Sequence, residues 1–517
     1  MSKVTKKDGM YHPSAEFVEN ANVKLEEYKE MYARSIKDPE GFWGEYAEQF
    51  HWEKKWDKVR DFNFDMNDGP ISIKWFVNGK TNICYNCVDR HLESRGDQPA
   101  LLWEGNEPDE DNQMTYNELY TEVTKFANVL KAHGVKKGDR VTMYLPMVLE
   151  LPISMLACAR IGAIHSVVFG GFSADSLKDR IVDAECKILI TADGTFRGKK
   201  PILLKQISDE AMTLSAKEGV EVTSCIVVKR VGDDKGVECM MTEGRDTWYH
   251  EEMAKVEAGC DVEWMDAEDP LFILYTSGST GKPKGVQHNV GGYMLYTALT
   301  HKNVFDYHDG DVYWCTADIG WVTGHSYILY GPLLNGAKSL MFEGIPTYPD
   351  SGRFWAVVDK WKVEQFYTAP TAIRALMRAG EGVVKQHSRK SLKLLGTVGE
   401  PINPEAWHWY NTVVGDERCP IVDTWWQTET GGIMITPLPG AIATKPGSAT
   451  LPFFGIEPVI LDPETGKEKD GNGVDGVLAI KSPWPGQLRS LWGSHDRFEE
   501  VYFAMYKGYY FTGDGCR

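Results

Sequence analysis

Along residues 1–70 polar and aromatic positions mix in helix-forming stretches without a repeat, which predicts a helical wrapping extension. From Thr115 the pattern changes. Apolar positions at helical spacing run from Asn117 to His133 and stop at Gly134. A short apolar run, Arg140–Leu145, precedes a helical stretch at Val148–Ile161 and a second apolar run at Ala163–Phe169. A helix near Ser173–Asp183 and a strand at Cys186–Thr191 follow. A second series holds the strands Leu271–Tyr275, Val312–Thr316, Ser339–Phe342, Gln365–Thr368, Leu392–Val398 and Ile421–Trp425. Its helices are Gly324–Leu334, Ser351–Lys362, Thr371–Arg378 and Glu405–Val413. Strands alternating with helices of this length predict an α/β fold of two lobes over 71–444, each a parallel or mixed sheet flanked by helices. After Lys445 the texture is strand and turn (Pro458–Leu461, Gly476–Ile480, Tyr509–Thr512), so residues 445–517 are expected to form a small β-rich subdomain.

Length agrees with more than one core: 517 residues exceed what a single hydrophobic core holds. Apolar residues make up 42% and charged residues 25%, a globular composition. The net charge of -18 disfavours nucleic acid and anionic lipid as partners, so any polyphosphate site must be a local exception. The polar segment Met1–Met10 has no apolar run behind it, so no secretory signal is expected; the location predicted is cytoplasmic, with a nuclear or organellar pool of the parent protein left open. The most apolar long segment, Leu151–Phe172, contains Pro152, Arg160 and His165 and breaks at Gly170-Gly171, which predicts a buried helix and strand, not a membrane span.

Two motifs are set aside. Cys84 and Cys87 have Cys-x-x-Cys spacing but no second ligand pair for zinc and no thioredoxin-like context, so buried free thiols are expected. Gly471–Gly476 matches G-x-G-x-x-G yet precedes a strand instead of opening a helix, which makes it a hairpin connection.

The densest chemistry lies in Tyr275-Thr-Ser-Gly-Ser-Thr-Gly-Lys-Pro-Lys-Gly285, directly after a strand. Glycines let backbone amides turn toward a phosphate, hydroxyls donate to it or bind a metal, and lysines add positive charge. The spacing is not that of a Walker A loop, and the alternative is a surface turn. Three further segments follow in order: Gly399-Glu-Pro401, Asp423-Thr-Trp-Trp-Gln-Thr-Glu-Thr-Gly-Gly432 and Tyr510-Phe-Thr-Gly-Asp-Gly515.

With these segments the chain resembles the acyl-adenylate-forming superfamily. The Trp-Trp-Gln-Thr-Glu form, Gly320-Trp-Val-Thr-Gly-His325 and Tyr85-Asn-Cys-Val-Asp-Arg-His91 resemble its AMP-forming acetyl-CoA synthetases in particular. The resemblance implies that Gly399, Glu400, Pro401, Asp423, Thr424, Trp425, Trp426 and Gln427 line the nucleotide. It implies that Thr428 reaches the α-phosphate and that Asp514 accepts from the ribose hydroxyls. Thr276, Ser277, Gly278, Ser279, Thr280, Gly281 and Lys282 would form the phosphate loop. Glu429, with Thr276, would hold Mg²⁺, and Thr276, Lys282, Thr428 and Glu429 would make up the catalytic set. A carboxylate suits two hydroxyl donors or a hard cation. Read singly, Asp514 is equally a turn aspartate and Glu429 a helix N-terminal carboxylate.

Trp321, Val322, Thr323, Gly399 and Trp426 would by the same resemblance enclose the acyl group. Trp426 would close the pocket behind a methyl; otherwise it is a core tryptophan, one of 17 in the chain. Such a pocket discriminates against one added methylene by only about 1–3 kcal/mol. Arg197, Gly198, Lys199 and Lys200, with Thr323 and Thr347, would meet CoA. Lysines stand there where relatives often carry arginine, and Thr347 where some carry a polar amide; a solvated basic turn is the alternative.

The reaction implied is acetate plus ATP to acetyl-AMP and pyrophosphate, then transfer to CoA with release of AMP, with ATP, Mg²⁺ and CoA as the small molecules required. In the family a mobile C-terminal lid domain follows the Tyr-Phe-Thr-Gly-Asp segment, and this sequence stops at Arg517. The expectation is therefore an N-terminal domain only, its lid absent, binding nucleotide and acyl-adenylate with little turnover. A synthetase preferring propionate or another short acid, and a non-catalytic nucleotide-binding module, are the alternatives. The sequence does not set the oligomeric state.

Overall fold

The computed structural model describes residues 2–232, 237–276 and 283–517. Two large sheets carry the architecture. The first has eight strands among the described residues, in the order Asp246–Trp248, Ser224–Val228, Ile188–Ala192, Arg140–Tyr144, Ile164–Val167, Pro270–Thr276, Lys284–Asn289, Ser490–Leu491. It is parallel as far as Pro270–Thr276, and the last two strands turn antiparallel. The second has seven: Ile421–Asp423, Leu394–Thr397, Gln365–Thr368, Val312–Cys315, Lys338–Phe342, Pro99–Glu104, Asp111–Thr115, parallel up to an antiparallel edge. Their strands are short, buried and rich in Val, Ile, Leu and aromatics, as sheets covered on both faces require.

The strands are not shared out as their order in the chain suggests. Pro270–Thr276, expected to open the second lobe, belongs to the first sheet, while Pro99–Glu104, early in the chain, belongs to the second. The connection through Lys284–Asn289 is an antiparallel hairpin whose partners include Tyr275↔Gly285 and Thr276↔Lys284. A three-stranded antiparallel sheet (Pro458–Leu461, Gly476–Ile480, Tyr510–Cys516) forms the small β-rich part.

The extension is only partly helical. Helices span Ala15–Asn20, Leu25–Lys37 and Pro39–Ala47, but strand pairs form at Thr5–Lys7 with Met10–His12 and at Lys58–Asn63 with Ser72–Val77. Ser72-Ile-Lys-Trp75 alternates at strand period, a signal hidden by the aromatic-rich texture around it, while Val59-Arg-Asp-Phe-Asn63 carries no such alternation. The helix expected at Gly324–Leu334 is a composite: one turn at Val322–Gly324, π-helical winding over His325–Tyr330, then Gly331–Leu334. The buried helix Val290–Val304 packs against it.

The segment Leu151–Phe172 is a buried helix, Glu150–Ile161, and a strand, Ile164–Val167. Among the described residues no helix is long and apolar enough to cross a membrane. Cys84 and Cys87 are buried free thiols on the short helix Ile83–Cys87. Gly471–Gly476 leads into the strand Gly476–Ile480.

Candidate active site

Several of the segments singled out in the sequence start where parallel strands of the second sheet end, the edge at which open α/β sheets bind ligands. Gly399 follows Leu394–Thr397, Asp423 ends Ile421–Asp423, and Trp321 lies beyond Val312–Cys315. Gly399 has φ 93°, a conformation open to glycine, and a Cβ there would meet nothing within 4 Å. Glu400 is tied to the helix Pro370–Met377, accepting from the Thr371 hydroxyl and, at 2.8 Å, from Arg374. The Thr371 and Arg374 hydrogen bonds hold its carboxyl below the usual range.

Asp423 is buried, its Oδ1 3.0 Å from the Thr397 hydroxyl, and burial pushes its carboxyl up to about 6. Next to it, Thr424 donates to the Thr397 carbonyl at 2.7 Å. Trp425 and Gln427 reach across to the last strand: the Trp425 indole N–H donates to Asp514 Oδ2 at 3.0 Å and Gln427 Nε2 donates to the same oxygen at 2.9 Å. Gln427 Nε2 also meets the Thr512 carbonyl at 2.8 Å, while its Oε1 is buried without a partner among the described residues. Two segments about 90 residues apart thus close on one carboxylate.

Thr428–Thr430 is a single 3₁₀ turn closed by Gly431 at φ 71°. Its fixing comes largely from the hairpin that follows the phosphate-loop segment. His288 Nε2 lies 2.7 Å from the Thr428 carbonyl, and burial lowers this imidazole to about 3, so it is neutral and donates there. Lys284 Nζ lies 3.2 Å from Glu429 Oε1, and the Tyr502 hydroxyl donates to the same oxygen at 2.6 Å. Burial and the adjacent Glu429 push the Tyr502 phenol far up, keeping it a donor. Thr276 stands directly opposite Lys284 in the ladder, so both side chains share a sheet face, and its hydroxyl is buried without a partner among the described residues. Ser277, Gly278, Ser279, Thr280, Gly281 and Lys282 lie outside the described residues.

A cleft of about 390 Å³ opens beside these segments. Trp321, Thr323, Gly399 and Arg197 line it, together with Phe169 and Asp318. Trp321 is 47% exposed and packs on Phe169 and Phe172, with ring centroids 5.6 and 5.8 Å away. Val322 is buried. Burial also raises the Asp318 carboxyl to about 6. Trp426 is not among the lining residues. Its half-buried indole is turned onto Tyr327, edge to face at 5.0 Å, and onto the Tyr367 hydroxyl at 3.2 Å.

The basic turn is a hairpin, Thr195–Arg197 with Lys200–Ile202, turning at Gly198 (φ 59°). Asn106 brackets Gly198, accepting from its N–H at 2.9 Å and donating to its carbonyl at 3.0 Å. A Cβ on Gly198 would lie 3.4 to 3.5 Å from Tyr348 and Ile345, so the hairpin turn sits against the segment that holds Thr347; Lys199, Lys200 and Thr347 are exposed.

Lys284, Tyr502 and His288 were not singled out by sequence reasoning. Lys284 sits inside the glycine-rich segment, and only the hairpin register reveals that it faces Glu429. Tyr502 has no local signature; its helix, His495–Tyr502, is delivered by the fold.

A family model described as AMP-binding enzyme matches residues 88–488, and one described as Acetyl-coenzyme A synthetase N-terminus matches residues 28–87. The acetyl-coenzyme A synthetase of Magnetococcus marinus is 60% identical over 499 residues, 96% of this chain and 75% of that protein. That of Bdellovibrio bacteriovorus is 59% identical over 509 residues, 98% and 77%. That of Parvibaculum lavamentivorans is 61% identical over 510 residues, 99% and 77%. The expectation of an N-terminal domain only is set aside: the matches are to curated acetyl-coenzyme A synthetases as such, along 96–99% of this chain and 75–77% of theirs. The expectation of little turnover, which rested on that reading, goes with it. The chain belongs to the AMP-binding enzyme family, among its acetyl-coenzyme A synthetases.

Proposed function

We propose that this chain activates acetate with ATP, forming acetyl-AMP and pyrophosphate, and passes the acetyl group to CoA with release of AMP. The observation that carries the reading is the Asp423–Glu429 segment, whose side chains address Asp514 on one side and Lys284 on the other. Adenine would lie along Gly399–Pro401 and Asp423–Trp425. The ribose hydroxyls would reach Asp514, and the buried Oε1 of Gln427 would gain the donor it lacks. Thr428 would face the α-phosphate, with Thr276 and the segment Ser277–Lys282 at the β- and γ-phosphates.

Among the described residues no group of three or more His, Cys, Asp or Glu side chains is arranged to hold a metal. Mg²⁺ needs no such group: it takes one or two protein oxygens and completes its shell with water and phosphate. Glu429 and the unpartnered Thr276 hydroxyl would hold it. When bound it neutralises charge on the phosphate oxygens.

In the first half an acetate oxygen attacks the α-phosphorus, a P–O bond forms and pyrophosphate leaves with the bonding pair. Lys284 and Tyr502 hold Glu429 at one orientation throughout, and His288 fixes the backbone that carries Thr428. In the second half the CoA thiolate attacks the acyl carbon and AMP leaves. CoA phosphates would meet Arg197, Lys199 and Lys200 at the rim, with Thr323 and Thr347 nearby. Trp321, Val322, Thr323 and Trp426 would surround the acetyl group.

Acetate-dependent exchange of labelled pyrophosphate into ATP tests the reading. Exchange that requires acetate and Mg²⁺ and is abolished by Glu429→Gln is expected. Mg²⁺-dependent ATP binding without acetate-dependent exchange would leave only a nucleotide-binding module. Faster exchange with propionate than with acetate would reassign the acid.

A further inference from the structure

We infer that Tyr367 is a specificity-determining residue, acting through Trp426; the inference rests on the reading of Trp426 as the end of the acyl pocket. Tyr367 lies on the strand Gln365–Thr368 and is fully buried. Its oxygen accepts the Trp426 indole N–H at 3.2 Å and lies 2.7 Å from Thr424 Oγ1. Thr424 in turn donates to the Thr397 carbonyl at 2.7 Å.

Only one proton arrangement satisfies this chain. The indole N–H is a donor and nothing else. The Thr424 proton is committed to the Thr397 carbonyl. The Tyr367 proton must therefore point at Thr424, which leaves the phenol lone pairs to the indole. Burial pushes the phenol pKa well up, so the proton stays in place. The result is a directed path from the Trp426 ring to the strand that precedes Gly399, the two regions assigned to acyl group and adenine.

On its other face Trp426 meets the edge of Tyr327 at 5.0 Å, and Tyr327 is itself pinned: its hydroxyl accepts from the Ile433 N–H at 2.8 Å and pairs with Thr300 at 2.8 Å. Phe305 closes on Tyr367 at 4.7 Å. An indole with one polar atom has one angle at which that atom is satisfied and its ring is packed. Removing the Tyr367 hydroxyl leaves the packing but deletes the angular restraint, so the ring swings and the pocket lengthens. Pocket depth would then depend on a hydroxyl that does not itself face the acid.

The test is the ratio of kcat/KM for propionate to that for acetate, measured in the parent and four variants. Trp426→Gly should raise it strongly. Tyr367→Phe should raise it about fivefold, the size of one buried neutral hydrogen bond. Added to Trp426→Gly, Tyr367→Phe should change the ratio less than about twofold, because there is no indole left to hold. Thr424→Val, which removes the acceptor of the Tyr367 proton, should move the ratio in the same direction and decides the matter if Tyr367→Phe does not fold. An unchanged ratio in Tyr367→Phe beside a large change in Trp426→Gly overturns the role of Tyr367 alone. An equal effect of Tyr367→Phe with and without the indole also overturns it. An unchanged ratio in Trp426→Gly overturns the pocket assignment beneath it.

Discussion

Lys284 Nζ lies 3.2 Å from Glu429 Oε1, and the pair joins the phosphate-loop hairpin of the first sheet to the turn that follows the second. Both side chains are largely buried, at 15% and 12% exposure. Deleting one member of such a pair strands the other charge. Lys284→Met is expected to destabilise the protein by about 1–3 kcal/mol, and Lys284→Met with Glu429→Gln to recover most of it. Denaturant melts of Lys284→Met, Glu429→Gln and the double variant measure the coupling; purely additive losses would mean that the contact contributes nothing.

Asp514 should affect the nucleotide and not the acid. The carboxylate proposed to take the two ribose hydroxyls is lost in Asp514→Ala, and the indole of Trp425 and amide of Gln427 lose their acceptor with it. The KM for ATP is expected to rise by about tenfold or more, from charged hydrogen bonds of about 1.5–3 kcal/mol, with the KM for acetate little changed. Pyrophosphate exchange at varied ATP and acetate separates the two constants.

Asp423 predicts a pH dependence with a definite sign. Its folded carboxyl titrates at about 6 through burial, against about 3.9 when unfolded. Between these values the folded chain holds a proton that the unfolded chain has released. The stability it contributes is complete below about pH 4 and is lost as pH rises through about 6, a loss of order 1–3 kcal/mol. Asp423→Asn has no such loss. Its melting temperature, relative to the parent, should therefore climb between pH 4.5 and pH 7.5, and a constant difference across that range would refute the assignment.

Lys199 and Lys200 should matter for CoA only. Both are exposed, so their removal leaves the fold intact. Lys199→Ala with Lys200→Ala is expected to raise the KM for CoA by roughly three- to tenfold at low salt and less at high salt, where screening already weakens the attraction. Pyrophosphate exchange, which needs no CoA, should be unaffected; a parallel loss there would place the hairpin elsewhere in the chemistry.

Local chemistry was legible in the sequence where one segment carried several consecutive functional residues. Asp423–Glu429 and Gly399–Pro401 fall at strand ends as their patterns required, because apolar runs bounded by turn residues mark those ends. Assignment of strands to sheets was not legible: Pro99–Glu104 and Pro270–Thr276 exchange lobes, since pairing between distant strands leaves no periodic trace in either. The same limit hid Tyr502 and Tyr367, whose importance comes from what the fold sets beside them. Nor did any local pattern announce that Trp426 packs on two tyrosines, a preference of a flat amphipathic ring for edge contacts and one acceptor.

Asp514, the carboxylate proposed for the ribose, arrives on Tyr510–Cys516, the final strand of the three-stranded sheet, and its partners follow a strand of another sheet altogether. On that proposed placement, nucleotide affinity and seating of the strand are one equilibrium viewed from two ends. A substitution that frays the strand's pairing with Gly476–Ile480 should weaken ATP without touching it, and ATP should in return slow amide exchange along the strand.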